Sequence, residues 1–137
     1  FRELLAEIYF TSQDYDKAIQ YQNDAIKLTA NENDLLFMML GSYILASNKN
    51  LNDSIDNLKK SLRINHQNSY SWYLLAQAYA DKNSIALAQY ATAERYFLMN
   101  DRAMALKFVE NSLKENSDIK IDFIAPASGL ILKKIEY

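Results

Sequence analysis

Trp72-Tyr73-Leu74-Leu75-Ala76-Gln77-Ala78-Tyr79 decides the fold. Trp72, Leu75, Ala76 and Tyr79 recur at steps of three, one and three, so they share one face of an α-helix. The order along that face is large, large, small, aromatic. The large, large, small order stands earlier in the chain as Phe37-x2-Leu40-Gly41, with Ile44 in the aromatic place, and the pattern recurs in part as Leu5-Ala6-x2-Tyr9. Gly41 lies inside its helical run, where glycine costs about 1 kcal/mol against alanine. Close approach of a neighbouring helix is a physical reason to keep it.

A second pattern follows each of these runs. Asp14-Tyr15-Asp16-Lys17-Ala18 recurs loosely as Asn50-Leu51-Asn52-Asp53-Ser54, as Ser84-Ile85-Ala86-Leu87-Ala88 and as Asp101-Arg102-Ala103-Met104-Ala105. Each begins on a residue suited to cap a helix. Each carries a small residue four places on. Ala18, Ser54 and Ala88 are 36 and 34 residues apart, and small pairs recur as Ala18/Ala25, Ser54/Ser61 and Ala105/Ser112. Small side chains at that spacing let paired helices approach closely.

The apolar spacing is helical almost throughout the chain. Leu4, Leu5, Ile8 and Tyr9 stripe a first helix, and Asp14 starts a second. Residues 29–34 are polar and break it. A third helix is expected over Asp34–Ser47, and a turn over 48–52 leads to a fourth with Ile55, Leu58, Leu62 and Ile64. A fifth is expected over Ser69–Asp81. Ser84 caps a sixth that continues to Met99, and Asp101 caps a seventh through Leu113. The expectation is an all-α array of about seven helices, each about 11–16 residues long, joined by short turns.

This alternation resembles the tetratricopeptide repeat, whose first helix reads W-x2-L-G-x2-Y. The resemblance covers about residues 1–115. It implies an all-α, right-handed superhelix of antiparallel helix pairs, with residues 1–116 as the repeat domain. Departures exist. The proline that usually follows a pair is replaced by Ala30, His66 and Asn100, and the second pair has one extra residue near its turn. Arg95 stands where a small residue is expected. Yet Ala93 and Tyr96 fit the small and aromatic places of a first helix, 17 residues after Ala76 and Tyr79. The sixth helix therefore reads as the second member of one pair and the first of the next.

The run from Trp72 to Leu113, with Leu74-Leu75-Ala76-Gln77-Ala78-Tyr79, Ala88, Ala91, Ala93-Glu94-Arg95-Tyr96-Phe97-Leu98, Asp101 and Ala105-Leu106, is also similar to the C-terminal repeat domain of bacterial HExxH zinc metalloproteases of the periplasmic, β-barrel assembly-enhancing kind. That likeness implies the non-catalytic part of such a protease, in the periplasm, with outer-membrane protein clients. It also implies a partner in the metalloprotease domain of the same parent chain. The alternative is a stand-alone repeat scaffold, cytoplasmic as readily as periplasmic, used for intramolecular docking or oligomerisation. The start at Phe1, already in helical spacing, reads as a piece of something longer.

Composition bounds the chemistry. The 137 residues include one His, no Cys and two Gly. That leaves no two-His zinc motif, no thiolate ligand or nucleophile and no glycine-rich phosphate loop. No catalytic residue, metal ligand or cofactor is expected. Lys and Arg number 15 against 17 Asp and Glu, a net charge of −2, which is no footprint for nucleic acid. The uncharged, mostly apolar run 35–48 is 14 residues, too short to span a bilayer. His66 reads as a loop residue. Asp14 and Asp16 read as helix-start residues rather than an acid/base pair, and Lys59-Lys60 and Lys133-Lys134 as solvated surface. Residues 117–137 hold Pro126 and Gly129, with Ile119, Ile121 and Phe123 alternating with charges. This segment is expected to be a cap or tail on the array.

Ligands of tetratricopeptide repeats usually meet the inner face of the first helices. On matching positions the resemblance puts there Glu3, Glu7 and Phe10, then Met38, Ser42 and Leu45, then Tyr70, Tyr73, Gln77 and Asp81. The sixth helix, taken as a first helix, adds Tyr90, Glu94 and Phe97. The candidate peptide groove is therefore Glu7, Met38, Ser42, Tyr70, Tyr73, Gln77, Tyr90, Glu94 and Phe97, and its expected ligand is a protein or peptide segment. Trp72, Tyr79 and Tyr96 are expected in the core. Repeats that clamp a C-terminal carboxylate carry Lys and Asn where this chain has Glu3, Glu7, Met38 and Ser42. A neutral, basic or hydrophobic segment is expected instead.

Overall fold

A computed structural model describes residues 1–29 and 33–116. Among them seven helices follow one another: α1 (Arg2–Thr11), α2 (Tyr15–Leu28), α3 (Asp34–Ser47), α4 (Leu51–Ile64), α5 (Ser69–Asp81), α6 (Ile85–Leu98) and α7 (Arg102–Glu115). Each packs on its neighbours in sequence, and the result is an all-α, tetratricopeptide-like array. The expected cap or tail at 117–137 lies outside the described residues.

Short polar side chains start most of these helices. The side chains of Asp14, Asn33, Asn50, Asn68 and Asp101 each accept a backbone N–H from the first turn of the following helix. Such a cap satisfies a donor that has no partner within the helix. Ser84 is the N-cap of α6, but its hydroxyl makes no capping bond, and α6 ends at Leu98 rather than Met99.

Three of the turns within pairs share one geometry. Gln13, Asn83 and Asn100 have φ of 64°, 63° and 63°. In each turn the N–H of the following residue donates to an aromatic carbonyl: Asp14 to Tyr9 at 2.9 Å, Ser84 to Tyr79 at 2.8 Å and Asp101 to Tyr96 at 3.0 Å. The link from α4 to α5 is different. Asn65 and Asn68 there have extended backbone. Helix α6 thus has a within-pair turn at both ends. It is second to α5 and first to α7, as the spacing of Ala76 and Ala93 predicts.

Small residues set the packing distance. An ideal Cβ added to Gly41 would stand 2.7 Å from Leu58 Cγ and 3.3 Å from the Ser54 carbonyl oxygen. The Ser54 hydroxyl donates to the Gly41 carbonyl at 2.8 Å, and the Ser112 hydroxyl to the Ala86 carbonyl at 2.7 Å. Between successive pairs, Gln22 Nε2 donates to the Leu36 carbonyl at 3.0 Å, and the Ser61 and Ser71 hydroxyls share a hydrogen bond of 2.7 Å. A hydrogen-bonded buried hydroxyl avoids most of the cost of leaving water. These bonds let serine serve where alanine is usual.

The main core lies among α4 to α7 and includes Leu58, Leu62, Trp72, Leu75, Ala91, Ala93 and Val109, all fully or almost fully buried. Trp72 also donates its indole N–H to the His66 carbonyl at 2.8 Å, so it seats the loop ahead of α5. A smaller core of Ala6, Ala18 and Tyr43 joins α1, α2 and α3.

Candidate peptide groove

Helix α5 brings three of the expected groove residues together. Tyr70, Tyr73 and Gln77 lie at spacings of three and four, so they rise from one face. The Tyr70 and Tyr73 rings are 5.6 Å apart and tilted by 31°. Gln77 Nε2 donates to Tyr73 Oη at 2.8 Å. Tyr70 is 50% exposed, so a large ring with a polar tip meets solvent beside a half-buried one. Such side chains offer much contact area for little lost rotamer freedom.

Helix α6 meets this face with different residues from those expected. The Arg95 guanidinium lies over the Tyr73 ring, 4.5 Å from its centroid. Gln89, Thr92 and Tyr96 stand beside it, across Ala76 and Ala80. Arg95 is legible in the sequence as a bulky charge in a small-residue place. Its stack on Tyr73 is a product of tertiary packing.

Tyr90 and Glu94 do not line an open groove. Both are buried, at 4% and 2% exposure. Tyr90 packs edge-on to Trp72, with centroids 5.8 Å apart and planes at 86°, and its hydroxyl donates to Glu94 Oε2 at 2.5 Å. The physical reason is the double duty of α6. A helix packed against both α5 and α7 spends on the core a face that a simple first helix would leave open. Burial first, and then the Glu94 charge, push the Tyr90 phenol far above its ordinary value. Phe97 is half-buried and packs against the same core.

The remaining candidates are spread along the array. Glu7 is exposed on α1, and Ser42 is half-buried on α3. Met38 is half-buried with its sulfur 3.5 Å from Asn68 Nδ2. Phe10 packs on Tyr43, with centroids 4.6 Å apart. Burial, and then the charges of Glu7 and Glu3, push the Tyr43 phenol up. Asp14 and Asp16 serve the start of α2. Asp14 caps it and Asp16 pairs with Lys49 at 2.9 Å.

Residues 2–32, which span α1 and α2, match the family model of the tetratricopeptide repeat. No curated protein sequence matches the chain. Together with the helical array, that match supports a tetratricopeptide repeat protein. Repeats of this kind generally mediate protein–protein interaction and are generally non-catalytic. Among the described residues no helix is long and apolar enough to cross a membrane.

Proposed function

We propose that the chain is a non-catalytic protein-interaction module that takes an extended partner segment on the face of α5 and its junction with α6. The observation that carries this is the Tyr70–Tyr73 pair, half exposed and continuous with Gln77 and Arg95. The finer reading is the client- or partner-binding repeat domain of a periplasmic zinc metalloprotease in outer-membrane protein quality control. Its support is the residue pattern from Trp72 to Leu113. Two observations test it together: the coding sequence upstream of Phe1, and co-elution of this chain with the protein encoded there. An HExxH helix preceded by an export signal, and co-elution of the two parts, are expected. Absence of both features contradicts the protease reading and leaves the interaction module standing.

A stand-alone scaffold for docking or oligomerisation is the second reading. Leu4 and Ile8, one turn apart on α1, are 57% and 48% exposed, an apolar stripe that self-association would cover. Sedimentation well above 15.8 kDa, abolished by Ile8→Glu, is the result that favours it.

A further inference from the structure

Helices α5 and α6 leave a cleft of about 320 Å3 between them, floored by Ala76, Ala80 and Ala88 and walled by Tyr73, Gln89 and Arg95. Its small floor leaves room for an incoming main chain. Its walls carry unspent polar capacity. No carboxylate among the described residues pairs with Arg95. The Arg95 guanidinium lies over the Tyr73 ring, 4.5 Å from its centroid, and a guanidinium so placed still has in-plane N–H donors to offer a carboxylate. Tyr73 Oη accepts from Gln77, so its own proton remains to be donated. Gln89 Oε1 is buried and has no hydrogen-bond partner, a state that buried polar atoms rarely keep. The terminal torsion of a glutamine is soft, so a donor entering the cleft can draw that oxygen to it.

We infer that this cleft receives an aspartate or glutamate side chain from an internal, extended segment of a partner protein. Its carboxylate meets the Arg95 fork and the Tyr73 hydroxyl, and a main-chain N–H of the same segment meets Gln89 Oε1. The inference rests on the binding face proposed above and adds the chemistry that face selects. The charge distribution confines an acidic contact to the surroundings of Arg95, which narrows the neutral, basic or hydrophobic segment expected from Glu3, Glu7, Met38 and Ser42. The chain as a whole is at −2, and Glu3 and Glu7 make α1 repulsive to an acidic segment. Arg95 therefore acts as a local anchor, and it sets which part of the segment lies over α6.

The test uses fluorescein-labelled, N-acetylated, C-amidated peptides of about twelve residues, with a central Glu or Asp in a Ala/Leu/Ser background. Each is matched by its Gln or Asn counterpart, and anisotropy reads binding to the whole chain. The acidic peptides are expected to bind about tenfold more tightly than their amide counterparts at low salt. Arg95→Gln should bring that ratio close to one. Gln89→Leu should weaken both sets alike. Equal binding of acidic and amide peptides, a preference that survives Arg95→Gln, or binding only by a free C-terminal carboxylate overturns the inference. So does failure of every peptide to bind. Equal binding that is lost in Tyr70→Ala rejects the acidic anchor but keeps the binding face. If Arg95→Gln fails to fold by circular dichroism, the Glu/Gln comparison on the unaltered chain and the Gln89→Leu result still decide.

Discussion

Tyr79 and Tyr96, 17 residues apart, hold the same place in two successive turns. The Tyr79 carbonyl accepts the Ser84 N–H at 2.8 Å and the Tyr96 carbonyl the Asp101 N–H at 3.0 Å. The residue just before each donor, Asn83 or Asn100, is left-handed. Asparagine tolerates that conformation better than residues with a bulkier Cβ substituent. Asn100→Ala is expected to cost about 1 kcal/mol in urea unfolding, with Asn100→Gly near neutral. An alanine variant as stable as the parent would mean that the turn does not constrain α6 against α7.

The contact of Gly41 with Leu58 yields a prediction against propensity. Alanine is the better helix former by about 1 kcal/mol. Here its methyl would enter the space of Leu58, which has no exposed surface to retreat toward. Overpacking of this kind typically costs about 1–3 kcal/mol. Gly41→Ala is therefore expected to lower stability, and Gly41→Ala with Leu58→Ala should lose less than the sum of the two single changes. Additive losses would place the strain elsewhere.

Burial of Tyr90 sets the behaviour in alkali. Its ordinary value is 10.0, and its folded value lies well above that. The raised folded value means that its contribution is fully present below about pH 10. It is lost as pH rises above that, because the unfolded chain releases the proton first. Each pH unit in that window removes up to about 1.4 kcal/mol. Tyr90→Phe should flatten this part of the stability profile. It should also cost about 1–3 kcal/mol at neutral pH through the lost bond to Glu94. Chemical denaturation between pH 7 and 11 reads both effects, and an unchanged alkaline slope in the variant contradicts the assignment.

Much of the array is legible in the sequence for local reasons. The bounds Asp34–Ser47 and Ser69–Asp81 agree with α3 and α5, because polar caps and a 3.6-residue apolar period mark them without help from distant residues. Tyr70, Tyr73 and Gln77 share a face because they share a helix. Tyr90 and Glu94 are misplaced for the opposite reason. Helix α6 carries alanine or an aromatic ring on most sides, so its own pattern does not say which side turns inward. That is decided by Trp72 on α5 and Phe108 on α7, the latter stacked on Tyr96 at 5.4 Å. Arg95 is visible as an exception in the repeat, but only packing puts it over Tyr73.

Tyr70 separates binding from folding. It is half exposed and touches the core little, so Tyr70→Ala is expected to change stability by no more than about 0.5 kcal/mol. Loss of a partner's hold on this residue should be far larger, about 2 kcal/mol or more if it is an anchor.

The most direct measurement is therefore calorimetric titration of the unaltered chain and of Tyr70→Ala with the tightest-binding peptide of the labelled series, each variant first shown to melt normally. The account predicts a single site on the unaltered chain and about a thirtyfold weakening in Tyr70→Ala. Equal affinity for both proteins would contradict it, since the face of α5 would then take no part in binding.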